Sequence, residues 1–358
     1  MLIVRSPVRI SFAGGGTDLP AYYEQFDGAV LSTAINKYFY TILGKRTDGR
    51  VQVISSDLRV FETWQNIAAM DIHGSGLEIP LAVLKDLKCE ISVDLFLASE
   101  IPPGTGLGSS ASVCVNILKT LTSYLRTPLS KHELAERAFH IARDVLGHHV
   151  GKQDEYAAAF GGLNFITFRR DGSTEVKPLN LDPEILRQLE ANLLLIFTGS
   201  AHHSWTILKE QEKSTRAHGP AVEALKEVHT FADRMRAVLE QGDLRAFGTL
   251  MDEAWQAKKR VSTKISNTRI DHLYRLARLN GALGGKITGA GGGGFLLLFC
   301  EPEHREAVRN ALAAEGVQEM AFAFDSQGAQ VLINDPFIDG DERTGSRWTF
   351  IPAASSTR

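Results

Sequence analysis

Apolar and polar residues alternate over 2–12, the two-residue period of a strand, before the chain runs into the glycines at 14–16. Strand patterns return at 38–46 and 90–97, so residues 1–100 read mainly as strands broken by turns and short helices. The period then changes. Val113, Cys114, Ile117, Leu118 and Leu121 fall on one stripe of a helix over 110–125. Ser130-Lys-His-Glu133 is a capping box opening a second helix, with Leu134, Ala138, Ile141 and Val145 inward and Gly147 ending it. Strands are predicted at 163–168 and 193–197, on either side of a polar segment near 171–190. Three long helical patterns follow near 203–217, 220–241 and 243–262, with a fourth near 269–280. A strand at 295–300, a helix near 303–315 and strands near 319–325 and 330–334 complete the body. The polar tail beyond carries Phe337, Trp348, Phe350 and Ile351, which could dock it. This is an α+β plan of two lobes meeting at a cleft, residues 1–185 and 186–335, with 336–358 as a tail packed on the body. No internal repeat is visible.

Three glycine-rich segments carry the candidate chemistry. In Ile101-Pro-Pro-Gly-Thr-Gly-Leu-Gly-Ser-Ser-Ala111 a glycine turn feeds a helix N-terminus, where outward N–H groups and the positive end of the dipole cradle a phosphate. Glycine there keeps side chains from holding the phosphate off the backbone. Ser109 and Ser110 add hydroxyls that can cap the helix or ligate Mg²⁺. The second segment, Pro7-Val-Arg-Ile-Ser-Phe-Ala-Gly-Gly-Gly-Thr-Asp18, is a strand ending in glycines and an aspartate. The third, Lys286-Ile-Thr-Gly-Ala-Gly-Gly-Gly-Gly-Phe295, spaces Gly289, Gly291 and Gly294 like a dinucleotide fingerprint. A strand follows it, whereas that fingerprint needs a helix, so we reject the dinucleotide reading. A glycine turn between two strands, lying against another backbone or a ligand, fits better.

Composition narrows the classes. With 358 residues and 44% hydrophobic residues the chain can bury a large core, and a net charge of −3 argues against a nucleic-acid partner. Cys89, Cys114 and Cys300 are odd in number and far apart, which suggests neither a disulfide framework nor a zinc motif. His148-His149 and His202-His203 lack a nearby carboxylate cluster at metal-ligand spacing. No stretch approaches a membrane span, and a cytoplasmic protein is expected.

Together the glycine segments resemble the GHMP kinases, the superfamily of galactokinase, homoserine kinase, mevalonate kinase and phosphomevalonate kinase, over about residues 1–335. Within it the sequence looks most like the D-glycero-α-D-manno-heptose 7-phosphate kinases. That likeness rests on Ser6-Pro-Val-Arg-Ile-Ser-Phe-Ala-Gly-Gly-Gly-Thr-Asp-Leu-Pro20, Val150-Gly-Lys-Gln-Asp-Glu-Tyr-Ala-Ala-Ala-Phe-Gly-Gly162 and Gly281-Ala-Leu-Gly-Gly-Lys-Ile-Thr-Gly-Ala-Gly-Gly-Gly-Gly294. The resemblance implies an N-terminal lobe like ribosomal protein S5, a ferredoxin-like C-terminal α/β lobe and an active site in the cleft between them. It implies ATP and Mg²⁺ as cofactors, a sugar phosphate as the small-molecule partner, no nucleic acid and no membrane; a homo-oligomer stays open.

The same resemblance assigns roles residue by residue. Asp154 becomes the catalytic aspartate, as general base or as the group orienting the sugar hydroxyl. By its sequence alone it could as well be a turn carboxylate capping a helix. Arg9 is placed inward beside the γ-phosphate, although a lone arginine on a strand usually faces water. Pro103, Gly104, Thr105, Gly106, Leu107, Gly108, Ser109 and Ser110 form the phosphate loop, with Ser110 on the metal. Gly15, Gly16, Thr17, Asp18, Gln153, Tyr156, Lys258, Gly291 and Gly292 are substrate contacts. Lys258-Lys259-Arg260 cannot all face one ligand at helical spacing, and a solvated face is the equal alternative. Thr198-Gly-Ser-Ala-His-His-Ser204 is another candidate anion site, where the His pair replaces an arginine common in relatives. Ala142 stands where related patterns carry a metal-binding glutamate, and Asp144, two residues on, should face elsewhere. No G-x-x-x-x-G-K-[ST] motif occurs. The leading reading is a kinase acting on O1 of a heptose 7-phosphate, for nucleotide-activated heptose and surface polysaccharide. Its alternatives are a kinase of a free sugar such as fucose or galactose, a non-catalytic ATP and sugar sensor, and a mevalonate diphosphate decarboxylase.

Overall fold

In a computed structural model of the chain, residues 1–88, 90–200 and 204–335 are described. Cys89, His202-His203 and the tail aromatics Phe337, Trp348 and Phe350 with Ile351 lie outside them. In chain order the first half holds β1 (Leu2–Ala13), α1 (Pro20–Phe26), β2 (Gly28–Lys45), β3 (Val51–Ser55), β4 (Val60–Trp64), α2 (Glu78–Asp86), β5 (Val93–Ser99), α3 (Ser109–Tyr124), α4 (Lys131–His140), α5 (Gln153–Phe160) and β6 (Leu163–Phe168). There follow β7 (Thr174–Pro178), α6 (Pro183–Ala191), β8 (Leu193–Phe197), α7 (Ser204–Arg216), α8 (Pro220–Glu240), α9 (Leu244–Lys259), α10 (Thr268–Leu279), β9 (Ala282–Ile287), β10 (Phe295–Cys300), α11 (Pro302–Ala313), β11 (Gln318–Glu319) and β12 (Gln330–Asn334).

Eight strands form one sheet in the order β12-β1-β2-β5-β3-β4, with β6 and β7 continuing from β2. Four more form a second, antiparallel sheet in the order β11-β8-β10-β9. The last strand therefore returns to the first sheet and pairs with β1. The polar segment near 171–190 is not a loop: it contains β7 and α6. Its helix start was readable, since Asp182 caps the Glu184 N–H and Pro183 takes the first helical position. The strand expected at 319–325 shrinks to Gln318–Glu319, followed by a single bridge between Ile35 and Phe324. The capping box at Ser130 and Glu133 is formed in both directions.

One irregularity in β1 decides what the sheet presents. Its pairing with β2 slips between Pro7 and Val8, so the alternation changes face there. Before the slip, Leu2 and Val4 pack beneath α3 and α4, and the Ser6 hydroxyl bonds to Ser112 of α3. After it, Val8, Ile10 and Phe12 join the other core, under α8 and α9 and against the second sheet. The odd-numbered residues then face α3 and α5, and Arg9 is one of them. Phe247 of α9 ties the cores of the two sheets, with its ring 5.3 Å from Phe12 of β1 and 6.0 Å from Phe299 of β10. Phe247 is fully buried, so Phe247→Ala should cost about 3–5 kcal/mol, read as a lowered midpoint in urea unfolding. A loss below about 1 kcal/mol would mean that the sheets do not depend on this contact.

Candidate active site

β1, the loop ahead of α3 and the first turn of α5 converge on a cavity of about 290 Å³. Arg9 is 4% exposed and holds Asp154 with two hydrogen bonds, Nε to Oδ1 at 2.7 Å and Nη2 to Oδ2 at 2.6 Å. Its remaining nitrogen, Nη1, donates to the Gly106 carbonyl at 2.5 Å. The Arg9 backbone N–H donates to Leu107 O at 3.0 Å. One residue therefore fixes both the carboxylate and the loop. The fork-on-fork pairing orients Asp154 and leaves each of its oxygens a free lone pair.

The loop itself rests on the third glycine segment, at Thr288 and Gly289. A Cβ built at Gly106 would lie 2.5 Å from Thr288 O, and one at Gly289 would lie 2.8 Å from the Gly106 backbone. Backbone packs on backbone, as expected of a glycine turn between two strands. α3 begins at Ser109 after Gly108 in the left-handed region, at φ +76°, and no side chain caps it. The N–H groups of its first turn therefore have no capping side chain and open on the cavity, where Ser109 and Ser110 line the wall.

Models of two domain families match the chain, the GHMP kinases N terminal domain over residues 78–162 and the GHMP kinases C terminal over 235–318. A Campylobacter jejuni protein named D-glycero-alpha-D-manno-heptose 7-phosphate kinase is 33% identical over 333 residues, covering 91% of this chain and 97% of its own. The chain belongs to the GHMP kinases. A solved structure described as a D-glycero-D-manno-heptose 1-phosphate kinase from Bacteroides thetaiotaomicron superposes with a TM-score of 0.79 at 28% identity, covering 94% of this chain and all of that one. A Lactococcus lactis galactokinase with galactose superposes at 0.76 and 19% identity over 92% of this chain and 95% of its own, which bears on the fold alone. This GHMP kinase is thus an enzyme, a sugar kinase that transfers a phosphoryl group to a hydroxyl, with the two-lobed α+β fold expected. Among the described residues no helix is long and apolar enough to cross a membrane.

The kinase cavity gathers most of the residues singled out by sequence. Arg9, Asp154, Gly15, Gly16, Asp18, Gln153, Lys258, Pro103, Gly104, Gly106, Gly108, Ser109 and Ser110 all line it. Thr105 and Leu107 are buried in the loop's support, where Thr105 O accepts from Phe295 N. Thr17 is also inside, bonding Gly14 O and Ala29 O to hold its turn. Tyr156 needs correction as a substrate contact. It lies two residues past Asp154, about 200° round the helix, so it points into the core and donates to Glu136 at 2.5 Å. Gly291 and Gly292 are also corrected. They pack on Ile265, whose carbonyl accepts from Gly292 N at 2.8 Å, and do not line the cavity. Of the basic triplet only Lys258 enters. Lys259 turns to Asp271 and Arg260 to Glu227. Asp144 is exposed and pairs with His140, while Ala142 lines the cavity.

Burial sets the electrostatics. Asp18 accepts from Gly16 N at 2.8 Å and Gln153 N at 3.3 Å, yet burial first and Asp154 second push its carboxyl above the ordinary range. Lys258 donates to Gly15 O at 2.6 Å, and burial pulls it down to about 8 despite Asp18. Lys286, beneath the site on Ser11 O at 2.7 Å, is pulled to about 7 by burial, then by Lys258 and Arg9. Sequence reasoning gave no role to Lys286, Glu155, Gln211 or Trp205. For Gln211 a signal existed: Gln211, Glu212 and Thr215 occupy the buried side of α7, where apolar residues belong.

Two glycine substitutions should separate chemistry from support. At Gly108 a Cβ would sit 3.1 Å from Asp154 Oδ2 and 3.3 Å from Arg9 Cζ, in a positive-φ position. Gly108→Ala should therefore displace the pair and lower kcat by about tenfold or more. Gly106→Ala strikes Thr288 O instead and should cost about 2–3 kcal/mol of stability. Steady-state kinetics and denaturant unfolding check both; a stable Gly106→Ala would sink the backbone-contact argument.

Proposed function

We propose that this kinase transfers the γ-phosphoryl group of ATP to O1 of a D-glycero-D-manno-heptose 7-phosphate, giving the 1,7-bisphosphate. The product would feed nucleotide-activated heptose and surface polysaccharide synthesis in the cytoplasm. The observation that carries the substrate class is Lys258, a buried ammonium donating to the Gly15 carbonyl beside Asp18. Asp18 suits sugar hydroxyls, and Lys258 suits an anionic group on the same molecule. The name of the Campylobacter relative points the same way, and the Bacteroides structure, described as a heptose 1-phosphate kinase, supports the heptose but not the 7-phosphate.

In this reading the sugar hydroxyl lies on Asp154, which takes up its proton as the bond to phosphorus forms. Arg9 keeps the carboxylate aimed and brings positive charge to the transferred group. The N–H groups opening α3 hold the ATP phosphates. A second cavity of about 250 Å³ adjoins at Ser109, Ser110 and Pro103, with Phe39, Leu58, Leu97 and Val113 among its apolar walls. It is the place for the nucleotide base. Ser110 would hold Mg²⁺, which when bound neutralises charge between the phosphate oxygens.

Asp154→Asn keeps the size of the side chain and removes its charge, so kcat per folded enzyme should fall by about 10²–10⁴, with a lowered unfolding midpoint because buried Arg9 loses its counter-charge. An ADP-release panel of heptose 7-phosphate, free heptose, fucose and galactose tests the substrate. Equal turnover of free and phosphorylated sugars would overturn the reading. A pH series adds a separate check. The Lys258 value is lowered on folding, so the free protein gains stability as pH rises from about 8 toward the ordinary lysine range. A bound anion would hold the proton on, so sugar-phosphate affinity should weaken as pH rises past about 8, and Lys258→Met should flatten that slope in calorimetry.

A further inference from the structure

Glu155 has no explanation in the preceding scheme. It follows Asp154 in the first turn of α5, is 2% exposed, and its Oε2 has no hydrogen-bond partner. Among the described residues no arginine, lysine or histidine stands within ion-pair distance of it. A charged carboxylate in such a place is costly unless a cation joins it, and a neutral one would still leave Oε2 without a hydrogen bond. The side chain lines the 290 Å³ cavity together with Ser110, and the neighbouring wall there is made of small groups, Ala111, Cys114 and Ala142. Glu155 and Ser110 thus line one cavity, and Glu155 brings to it a buried oxygen that no other group of the protein satisfies.

We propose that Glu155 is the carboxylate ligand of the divalent cation, completing with Ser110 the protein's share of a site otherwise filled by nucleotide oxygens and water. Mg²⁺ takes oxygen ligands, one or two of them carboxylates, and keeps its other positions for phosphates and water. Glu155 supplies from α5 the negative charge that Ala142, also on the cavity wall, cannot supply. Asp144 is no substitute, because it is exposed and bound to His140 at 2.7 Å. The inference rests on the ATP-dependent reading of the cavity but not on the identity of the sugar.

The test is Mn²⁺ binding to the enzyme with a non-hydrolysable ATP analogue, followed by electron paramagnetic resonance without sugar. Glu155→Gln should weaken Mn²⁺ at least tenfold, and Ser110→Ala should weaken it as well, while Asp144→Ala stays within twofold of wild type. Ala142→Glu added to Glu155→Gln returns a carboxylate to the cavity wall and should recover most of the affinity. Nucleotide affinity in metal-free buffer should not fall in Glu155→Gln. Unchanged Mn²⁺ affinity in folded Glu155→Gln, or in Glu155→Ala should the first not fold, overturns the proposal. The sugar panel is independent: it can fail for heptose while this titration succeeds, and the reverse.

Discussion

A buried guanidinium constrains everything around it. Arg9 sits on an interior strand, where an unpaired charge would be several kcal/mol too costly to keep. Asp154 must therefore reach it, which requires α5 to start where it does, and the Gly106 carbonyl must turn toward it, which sets the loop ahead of α3. The slip at Pro7 and Val8 aims the side chain at that meeting point. Arg9 thus belongs to the stability of the protein as much as to its chemistry. Removing Asp154 leaves a buried charge without its partner, and removing Arg9 leaves Asp154 without the fork that aims it.

The two lysines are treated differently. Lys258 and Lys286 reach only carbonyl or amide oxygens, and no carboxylate stands within ion-pair distance of either among the described residues. Burial makes their charge expensive, as their lowered values show. With Lys258 on its wall and Lys286 beneath it, the cavity is primed for an anionic guest, which would relieve part of that cost.

The sequence made visible whatever depends on local pattern or on a motif. The strand at β1, the stripe of α3, the capping box at Ser130 and the glycine loops were all legible, because each follows from spacing within a few residues. Features that depend on distant partners were not. Nothing between Leu2 and Phe12 announces the change of face at Pro7, since a bulge is set by the strand beside it. Tyr156 shares a motif with Asp154 but not a direction, and only the helix register separates them. The segment at Ile141–Val145 is a π-helical turn, with Leu146 N bonded to Ile141 O, so a plain helical wheel misplaces residues beyond it. β7 was hidden by its polar face at the sheet edge.

The return of β12 to β1 has a consequence for synthesis. Residues 2–5 pair with 330–334, so the first strand emerges from the ribosome long before its outer neighbour exists. Until residues 330–334 are made, the outer edge of β1 therefore offers unpaired N–H and C=O groups, with Leu2 and Val4 beside them. Closing so long a loop is also slow. The nascent chain must keep that edge from other chains until residues 330–334 have been made.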